Sequence, residues 1–491
     1  MKIELDTINA RVAQATDEER NWLYDYLSFE DEKSKFLRRR DGSIKYNSSA
    51  KKISLLRLDD TFPAGLVSKV KRAALKSNVL VGIIDKRVRP CEPFTWEEAL
   101  VNTALMSPDG KTPWLHDFQQ DAVDVALKRT RGILDMPTGS GKTETAVGLA
   151  MRLGMTNTLF VSPEADLMHN AARRWEKRTK IEAGRIGDGW MKPLDGFTSA
   201  TFQTLAARIA KGDSKLLEYL PTVGCVIFDE VHTLPANSFY NTALKIPAYW
   251  RIGLSGTPLA RGDKKSLFSI AATGSIIYKV DTQMLIDRGF VSRPHIRMVP
   301  CTQTGTASSW QAAEKELIIE SVTRNKLVTQ LAVVAPKPGL VFVKLKKHGQ
   351  LLTDLIKKAG LRAEFIWGGN NTAQRDAAIK KLQDGQLDLI VCSVVFQTGT
   401  DIPEVKSMVI ACGGKSEIAT LQRIGRGMRI VRDEVTGATI KDEFYVFDIY
   451  DQEPKAATGT TANRWNANHS RERFRAYTGV GHEVTMKEIA A

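Results

Sequence analysis

The feature that most constrains the fold is the eight-residue string MPTGSGKT at residues 136–143. It completes the short apolar stretch ILDM and opens the helix-like stretch TETAVGLAMRLG. A strand, a glycine-rich loop and a helix in this order gather backbone N–H groups at a helix N-terminus, where the helix dipole favours anions. The string therefore predicts a phosphate-binding loop within an α/β domain.

This loop carries the residue types that bind a nucleoside triphosphate. Lys142 is expected to reach the β- and γ-phosphates, and the Thr143 hydroxyl is expected to ligate Mg²⁺. The general pattern begins with glycine, whereas this sequence has Met136 there. The residues expected to surround ATP are Pro137, Thr138, Gly139, Ser140, Gly141, Lys142 and Thr143.

An acidic motif, Asp229-Glu230-Val231-His232, follows the apolar run CVIF. The carboxyl ends of parallel strands line the ligand crevice of an open α/β sheet, so a carboxylate at such an end is placed to hold a metal ion. We expect Asp229 to bind Mg²⁺, directly or through water, and Glu230 to polarise the attacking water. An exposed acidic turn is the alternative interpretation.

Short apolar strands alternate with helical stretches from Trp114 onward, in two blocks divided around residues 280–295. Alternation of this kind predicts parallel sheets covered by helices. Residues 1–95 are interpreted as a small α/β unit with helices near 18–29 and 62–76 and strands near 52–58 and 78–86. After residue 450 the sequence becomes polar and predicts a partly ordered tail with one short basic helix.

The strings DEVH, SGTP (255–258) and QRIGRGMR (422–429) resemble motifs II, III and VI of superfamily 2 helicases, in the family order. The resemblance covers about 115–450 and implies an α/β fold with two tandem RecA-like parallel-sheet domains. The expected domains are an N-terminal accessory, DNA-binding domain (1–95), an ATP-binding RecA-like domain (96–285), a second RecA-like domain (286–450) and a short C-terminal extension (451–491).

The resemblance also implies roles for individual residues. Ser255 and Thr257 would couple the nucleotide state to the grip on nucleic acid. Gln422 would lie near the γ-phosphate, with Arg426 and Arg429 as arginine fingers, because a guanidinium fork stabilises the charge that develops there. The first domain already supplies the phosphate loop, so these arginines would come from the second domain, and hydrolysis would require closure of the cleft.

Further stretches resemble other motifs of the same family. In LHDFQ (115–119), Gln119 would read adenine; an ordinary helix start is the alternative. FQTGTDIP (396–403) resembles a motif that faces both the nucleotide and the DNA; a simple strand-to-loop turn is the alternative. The residues implied there are Thr398, Gly399 and Asp401, and the residues implied as DNA-backbone contacts in two earlier motifs are Ser162, Pro163, Thr201 and Gln203.

The charge of the chain favours a polyanionic partner. Lys plus Arg number 70 against 56 for Asp plus Glu, a formal net charge of +14. Much of the excess lies within residues 33–57, which include Arg38, Arg39 and Arg40, and we expect phosphate contacts there; a solvated basic loop is the alternative. Trp190, in the turn-rich stretch GRIGDGWMKPLDGF, is a candidate for separating strands by stacking, with a packed surface aromatic as the alternative.

Within the superfamily, DEVH with SGT differs from the DEAD and SAT strings of RNA-unwinding relatives and resembles phage UvsW-type DNA helicases. The resemblance implies an ATP-dependent helicase or translocase that tracks single strands on forked or branched DNA in recombination, repair or replication. A restriction-type duplex translocase, an RNA helicase and a binder with a decayed ATPase are the alternatives. We expect a monomer or weak oligomer, with recombination and replication proteins as candidate partners.

The remaining composition suggests neither export nor a metal cluster of cysteines. Five scattered cysteines without CxxC spacing argue against disulfides and zinc. Three of them, Cys225, Cys392 and Cys412, lie in strand-like apolar runs and are predicted to be buried. The apolar runs are too short to span a bilayer and no signal peptide is evident, so we expect no membrane association and a cytoplasmic location, in the host if the protein is phage-encoded.

Overall fold

The structure is a computed structural model that describes residues 1–31, 34, 36–38, 44–46, 51–103, 115–257, 266–302, 309–393, 404–432, 439–452 and 462–486. The side chains at 36–38, 44–46, 101–103, 237, 372, 418, 426 and 462–464 lie outside this description. The chain divides into an N-terminal unit (Met1–Met136 and Gly141–Val280) and a C-terminal unit (Pro137–Ser140 and Asp281–Ala491).

The N-terminal unit begins with a small α/β part whose four-stranded sheet has the order β7-β2-β1-β8. The strands of this N-terminal part, inside and outside that sheet, are β1 Lys2–Leu5, β2 Asn9–Gln14, β3 Ser28–Asp31, β4 Phe36–Arg38, β5 Ile44–Tyr46, β6 Lys51–Ser54, β7 Thr61–Pro63 and β8 Gly82–Asp85. The helices of this part are α1 Asp17–Tyr26, α2 Val67–Lys76 and α3 Trp96–Thr103. Thr16 and Glu19 form a reciprocal capping box that starts α1.

The rest of this unit is an eight-stranded sheet of order β12-β11-β13-β10-β14-β15-β9-β16, parallel except for the edge strand β12. Its strands are β9 Arg131–Asp135, β10 Asn157–Ser162, β11 Gly184–Gly187, β12 Trp190–Lys192, β13 Phe197–Thr201, β14 Val223–Phe228, β15 Trp250–Ser255 and β16 Ile276–Lys279. Its helices are α4 Asp117–Arg129, α5 Lys142–Arg152, α6 Ala165–Thr179, α7 Phe202–Ala210, α8 Ser214–Tyr219, α9 Asn237–Ala243 and α10 Ser266–Ala272. The continuous apolar run of β14 fits a central strand that is covered on both faces.

The C-terminal unit is built on a seven-stranded parallel sheet of order β19-β20-β18-β21-β24-β17-β25. The strands of the unit are β17 Arg293–Thr302, β18 Gly339–Phe342, β19 Ala363–Ile366, β20 Leu389–Cys392, β21 Ser407–Ile410, β22 Val431–Arg432, β23 Thr439–Lys441, β24 Glu443–Gln452 and β25 Val484–Met486. The helices are α11 Thr282–Asp287, α12 Trp310–Glu314, α13 Val322–Val334, α14 Lys346–Lys358, α15 Thr372–Gln383, α16 Glu417–Gly427 and α17 Ala462–Gly479. The two tandem α/β blocks predicted from the sequence are confirmed.

The small N-terminal part shares an apolar core with the eight-stranded sheet behind it. The Phe29 and Phe268 rings meet edge to face with centroids 5.8 Å apart. A Cβ on Gly65 would lie 2.2 Å from the carbonyl oxygen of Ile270, so only glycine permits this approach. The separate accessory domain at 1–95 remains a prediction. These contacts show that the N-terminal part packs directly against the first α/β block and shares its apolar core.

Two expectations differ from the structure. In the first 95 residues, the expected helix at 62–76 begins as strand β7, and its α-helical part starts only at Val67. The expected tail contains the long helix α17, and β25 pairs with β17 at the edge of the sheet. The sequence of this segment looks polar because some of its polar residues are buried in pairs. Arg473 is only 1% exposed, and its Nε donates to Asp448 Oδ2 at 2.8 Å.

Buried cysteines follow the sequence expectation: Cys225, Cys392 and Cys412 are all buried and free. Within the described parts of the chain, no helix is both long enough and apolar enough to cross a membrane.

Candidate functional site

Five parallel strands of the N-terminal unit deliver predicted site residues to one edge of the sheet. Ser255 at the end of β15 is in register with Asp135 at the end of β9, and the Met136 N–H donates to the Ser255 carbonyl at 2.9 Å. Strands β14, β10 and β13 end at the same edge, where Asp229, Ser162 and Thr201 lie. Since parallel strands present their carboxyl ends together, sequence-distant motifs converge there.

The phosphate loop has the backbone that its glycines allow. Gly139 and Gly141 have φ values of 87° and 79°, in the left-handed region that only glycine adopts readily. Gly141 is the N-cap of α5, so the loop leads directly into a helix N-terminus. Lys142 Nζ lies 3.4 Å from the Met136 carbonyl oxygen, folded over the loop from the first turn of the helix.

Gln119 lies against this loop. Its side chain is only 4% exposed, and its Oε1 accepts a hydrogen bond from the His116 N–H at 3.0 Å. A Cβ on Gly141 would lie 2.2 Å from Gln119 Nε2. The predicted adenine-reading residue is therefore held next to the phosphate loop, although adenine reading itself stays a prediction.

Asp229 carries the strongest electrostatic signature of the edge. The residue is 6% exposed, and its Oδ1 is buried without a hydrogen-bond partner. Burial, followed by the neighbouring Glu230 carboxylate, raises the pKa of the Asp229 carboxyl to about 7, against the opposing charge of Lys142. A buried oxygen without a partner costs free energy, which a bound cation would relieve.

The donor set near Asp229 fits Mg²⁺ held together with a nucleotide. The described residues contain no group of three or more His, Cys, Asp or Glu side chains arranged to hold a metal ion on their own. Mg²⁺ commonly uses one or two protein oxygens and completes its shell with substrate phosphates and water. Thr143 at the start of α5 and Asp229 supply one hydroxyl and one carboxylate, which suits that arrangement.

The next two motifs are connected through a histidine. Glu230 has φ 47°, a left-handed conformation that is strained for a residue with a side chain. His232 Nδ1 lies 3.2 Å from Glu230 Oε2 and 3.0 Å from Ser255 Oγ. Ser255 Oγ also accepts from the Thr257 N–H at 3.1 Å. The acidic motif and the SGT motif therefore form one hydrogen-bonded cluster.

The residues predicted to contact DNA share this edge but differ in exposure. Ser162 is fully buried and donates to the Glu164 carbonyl at 2.9 Å, and Thr201 caps α7 by accepting from the Thr204 N–H. Gln203 is exposed, and its Nε2 donates to the Pro163 carbonyl at 2.7 Å. Backbone groups of these loops and the Gln203 side chain are the accessible parts of the predicted contact surface.

In the C-terminal unit, the QRIGRGMR string forms most of α16 and the turn after it. Ser416 caps the helix, and a Cβ on Gly427 would lie 1.9 Å from the Phe444 ring, so this glycine lets β24 approach the helix closely. The Arg429 carbonyl accepts from Ser292 Oγ at 3.0 Å. Arg429 is exposed and Gln422 is half-buried on α16.

Several predicted site residues fall outside the described part of the chain. The backbone of Arg426 belongs to α16 and that of Arg38 to β4, but neither side chain is described. The remaining predicted residues outside the description are Arg39, Arg40, Thr398, Gly399 and Asp401.

Sequence reasoning missed two residues at this edge of the sheet. In the sequence His232 is only the last residue of DEVH, whereas in the structure it lies between Glu230 and Ser255. Asp135 ends β9 directly before the loop, and burial raises its pKa to about 6 while Lys279 and Lys142 lower it. An acidic residue that ends an otherwise apolar strand next to a phosphate loop was the available signal.

Comparison with known proteins follows the two-block architecture. Residues 113–260 match the family described as the res subunit of type III restriction enzymes, and residues 323–431 match the helicase conserved C-terminal domain. The ATP-dependent DNA helicase uvsW of Enterobacteria phage T4 is 26% identical over 495 residues, covering 95% of each chain. The DNA 3′–5′ helicase XPB of Mycobacterium tuberculosis is 27% identical over 327 residues, covering 64% of this chain and 58% of the relative.

Solved structures agree on the fold. Saccharomyces cerevisiae Dbp5 bound to RNA and ADP BeF3 superposes with a TM-score of 0.51 at 16% identity, covering 79% of this chain and 95% of that chain. The chain spans between about half and two thirds of the length of several helicases that it matches. The two matched domains follow each other in order, and the DEVH, SGT and QRIGRGMR motifs lie within them. The chain belongs to superfamily 2 of the helicases.

Proposed function

We propose that the protein is an ATP-dependent DNA helicase that remodels forked or branched DNA. The observation that carries the proposal is the buried Asp229 carboxylate, whose Oδ1 has no partner, at the sheet edge that also holds the phosphate loop. A buried carboxylate oxygen without a partner costs free energy unless a cation binds it. This edge of the sheet is therefore suited to a metal-bound triphosphate.

A few side chains at this edge of the sheet share the roles needed for ATP hydrolysis. Lys142 neutralises charge on the β- and γ-phosphates, and Glu230 orients a water molecule and polarises it for attack on the γ-phosphorus. The bond between the γ-phosphorus and the oxygen bridging to the β-phosphate breaks, which gives ADP, inorganic phosphate and a proton. Thr143 and Asp229 would hold Mg²⁺, which supplies charge neutralisation to the phosphates when it is bound.

Coupling to DNA is proposed to run through the hydrogen-bonded cluster of Glu230, His232 and Ser255. Glu230 is the residue proposed to polarise the attacking water, and His232 links it to Ser255. Ser255 ends β15 and precedes a loop at the same edge of the sheet as Gln203. A change at the γ-phosphate can therefore reach the DNA-facing loops through the His232 ring, whose Nδ1 lies within 3.2 Å of both Glu230 Oε2 and Ser255 Oγ. Arg426 and Arg429 on the second domain would complete the reaction, so that each turnover moves one domain against the other.

DNA is favoured as the substrate by charge and by the relatives. The net charge of +14 suits a polyanion, and both relatives named above are described as DNA helicases. The preference for forks and branched DNA is inferred from the UvsW-type resemblance, which spans nearly the whole chain. A 3′–5′ polarity is the corresponding inference from the XPB relative.

A second candidate is translocation on duplex DNA without strand separation. It is favoured by one observation, the match of residues 113–260 to a restriction-enzyme subunit family. A translocase would displace a triplex-forming strand from plain duplex while leaving forks paired. That readout separates the two candidates.

The test compares ATP hydrolysis and strand separation on forks, Holliday junctions, plain duplex and RNA duplex. We expect ATPase stimulation by DNA and strand separation on the branched substrates. Lys142→Ala should abolish hydrolysis and retain DNA binding, with Lys128→Ala, an exposed lysine on α4, as the matched control. Retained turnover in Lys142→Ala would refute the phosphate-loop assignment, and stimulation by RNA alone would refute the choice of DNA.

A further inference from the structure

Strands β11 and β12 form a tight hairpin at the edge of the eight-stranded sheet. Gly187 pairs with Trp190, and the two turn residues between them, Asp188 and Gly189, have φ values of 49° and 82°. Positive φ at both central positions defines the two-residue turn that matches the natural twist of a hairpin. The turn therefore continues the twist of the two strands, and Trp190 is the first residue after it.

The tip of the β11–β12 hairpin lies at the carboxyl edge of the sheet. Strand β11 runs parallel to β13, with Ile186 opposite Ala200, so Gly187 comes level with Thr201. A Cβ on Gly187 would lie 2.9 Å from Met168 Sδ and 3.0 Å from Thr201 Oγ1. The tip thus borders the loops of Ser162 and Thr201, which are predicted to contact the DNA backbone.

A second contact fixes the tip to the helix that follows the Ser162 loop. His169 on α6 has its Nε2 3.0 Å from Asp188 Oδ2. Because α6 begins three residues after Ser162, this contact links the hairpin tip to the element that follows that loop.

Trp190 presents an open aromatic surface at this place. The residue is 47% exposed, so part of its indole ring is open to solvent. The Arg185 guanidinium lies over the ring, 5.7 Å from the centroid, and Arg185 is held in turn by Glu176 at 2.9 Å. The ring is therefore supported on one side by a fixed cation and remains accessible to solvent.

We infer that Trp190 is a stacking platform for a base of single-stranded DNA held along this edge. An aromatic face accepts any base, so the contact is independent of sequence and suits a protein that moves along a strand. The inference rests on the proposed function, because it concerns the same DNA-facing edge. It adds a base contact to a surface whose other predicted contacts are with the DNA backbone.

The experiment measures the affinity of the full chain for a fluorescein-labelled oligothymidylate by anisotropy over a range of salt concentrations. Trp190→Ala should weaken binding by about 5- to 150-fold, the range found for loss of one stacked base, and Trp190→Phe should retain most of the affinity. Stacking releases no counterions, so the salt dependence should keep its slope. Met155→Ala removes a large side chain, 69% exposed, near the start of β10 at the opposite edge, and should bind as the wild type does.

The outcomes separate this inference from the proposed function. A wild type that hydrolyses ATP with DNA, together with Trp190→Ala that binds as tightly as Met155→Ala, overturns the stacking contact alone. Equal losses in Trp190→Phe and Trp190→Ala also overturn it, because phenylalanine keeps an aromatic face. A wild type that neither binds the oligonucleotide nor responds to DNA overturns both proposals.

Discussion

His232 Nδ1 lies 3.0 Å from Ser255 Oγ, so the motif that ends β14 is hydrogen-bonded to the motif that ends β15. Both residues are buried, at 8% and 0% exposure. Hydrogen bonds in such surroundings are poorly replaced by water when one partner is lost. The contact is thus a short, specific route from Glu230, at the proposed chemistry, to the loop that follows Ser255.

Ser255→Ala should separate ATP hydrolysis from DNA remodelling. The substitution removes the hydroxyl that joins His232 to the Thr257 N–H but leaves Lys142, Asp229 and Glu230 in place. We expect DNA-stimulated ATPase within about 3-fold of the wild type and strand separation reduced by about 10-fold, a coupling loss of roughly 1–2 kcal/mol. Parallel ATPase and fork-unwinding assays measure the two effects.

The control for that variant is Ser199→Ala, which removes another buried hydroxyl from the same sheet, on β13, where it donates to the Gly184 carbonyl. It should leave the ratio of unwinding to hydrolysis unchanged. Proportional loss of both activities in Ser255→Ala would contradict a coupling role.

Asp229→Asn should stabilise the nucleotide-free protein at neutral to alkaline pH. The pKa of Asp229 is raised from 3.8 to about 7, so the unfolded carboxyl ionises first and the folded state loses stability as pH rises through that window. Asparagine removes this cost. Near pH 8 the variant should be more stable by at most about 4 kcal/mol, and near pH 4 the difference should vanish.

Thermal melts at both pH values, without nucleotide, measure this effect. Asp376→Asn, which removes an exposed carboxylate on α15, should leave the Tm unchanged. A lower Tm for Asp229→Asn at alkaline pH would show that the carboxylate is paired in the free protein, contrary to the structure.

Arg473→Ala should loosen the C-terminal helix from its sheet. Arg473 donates to Asp448, which is 0% exposed, and to the Ile449 carbonyl at 2.8 Å. Removing one partner of a buried ion pair costs about 3–5 kcal/mol because the other charge stays buried. Hydrogen exchange should accelerate in α17 and β24.

Arg475→Ala, which breaks an exposed pair with Glu472 on the same helix, should change exchange very little, since such pairs contribute about 0–1 kcal/mol. Identical exchange in the two variants would mean that α17 is held by its apolar contacts alone.

Neutralising Arg38, Arg39 and Arg40 together with glutamine should weaken DNA binding and flatten its salt dependence. Each lost phosphate contact lowers the slope of log K against log salt by about 0.7–0.9. The charge-matched control replaces three exposed residues of the C-terminal unit, Lys315, Lys326 and Arg475. A slope equal to that of the control would assign the segment to a solvated loop.

The site at the sheet edge was largely predictable because its signals are local. MPTGSGKT, DEVH and SGT each end an apolar run, and parallel strands necessarily bring such ends together. The sequence could not reveal that His232 bridges Glu230 and Ser255, since the contact depends on the register of β14 against β15. The left-handed Glu230 is likewise visible only in the folded chain.

The C-terminal helix was underestimated for a different reason. Residues such as Arg473 and Ser470 look like solvent-facing groups in composition, yet they form a buried polar network with Asp448 and Asp451. The partners are 25 and 19 residues apart and belong to a strand and a helix, so no periodicity links them. Packing of Gly65 against Ile270 is equally non-local, which is why the N-terminal part looked more independent than its core is.

In the proposed mechanism, Arg426 of the second α/β domain completes the ATPase site of the first. ATP turnover by Arg426→Ala, measured with DNA at saturating ATP beside nucleotide binding, tests it most directly, with Arg475→Ala as the control. We expect kcat to fall by about 10³-fold with ATP affinity retained. An unchanged kcat in Arg426→Ala would contradict a site completed by that arginine.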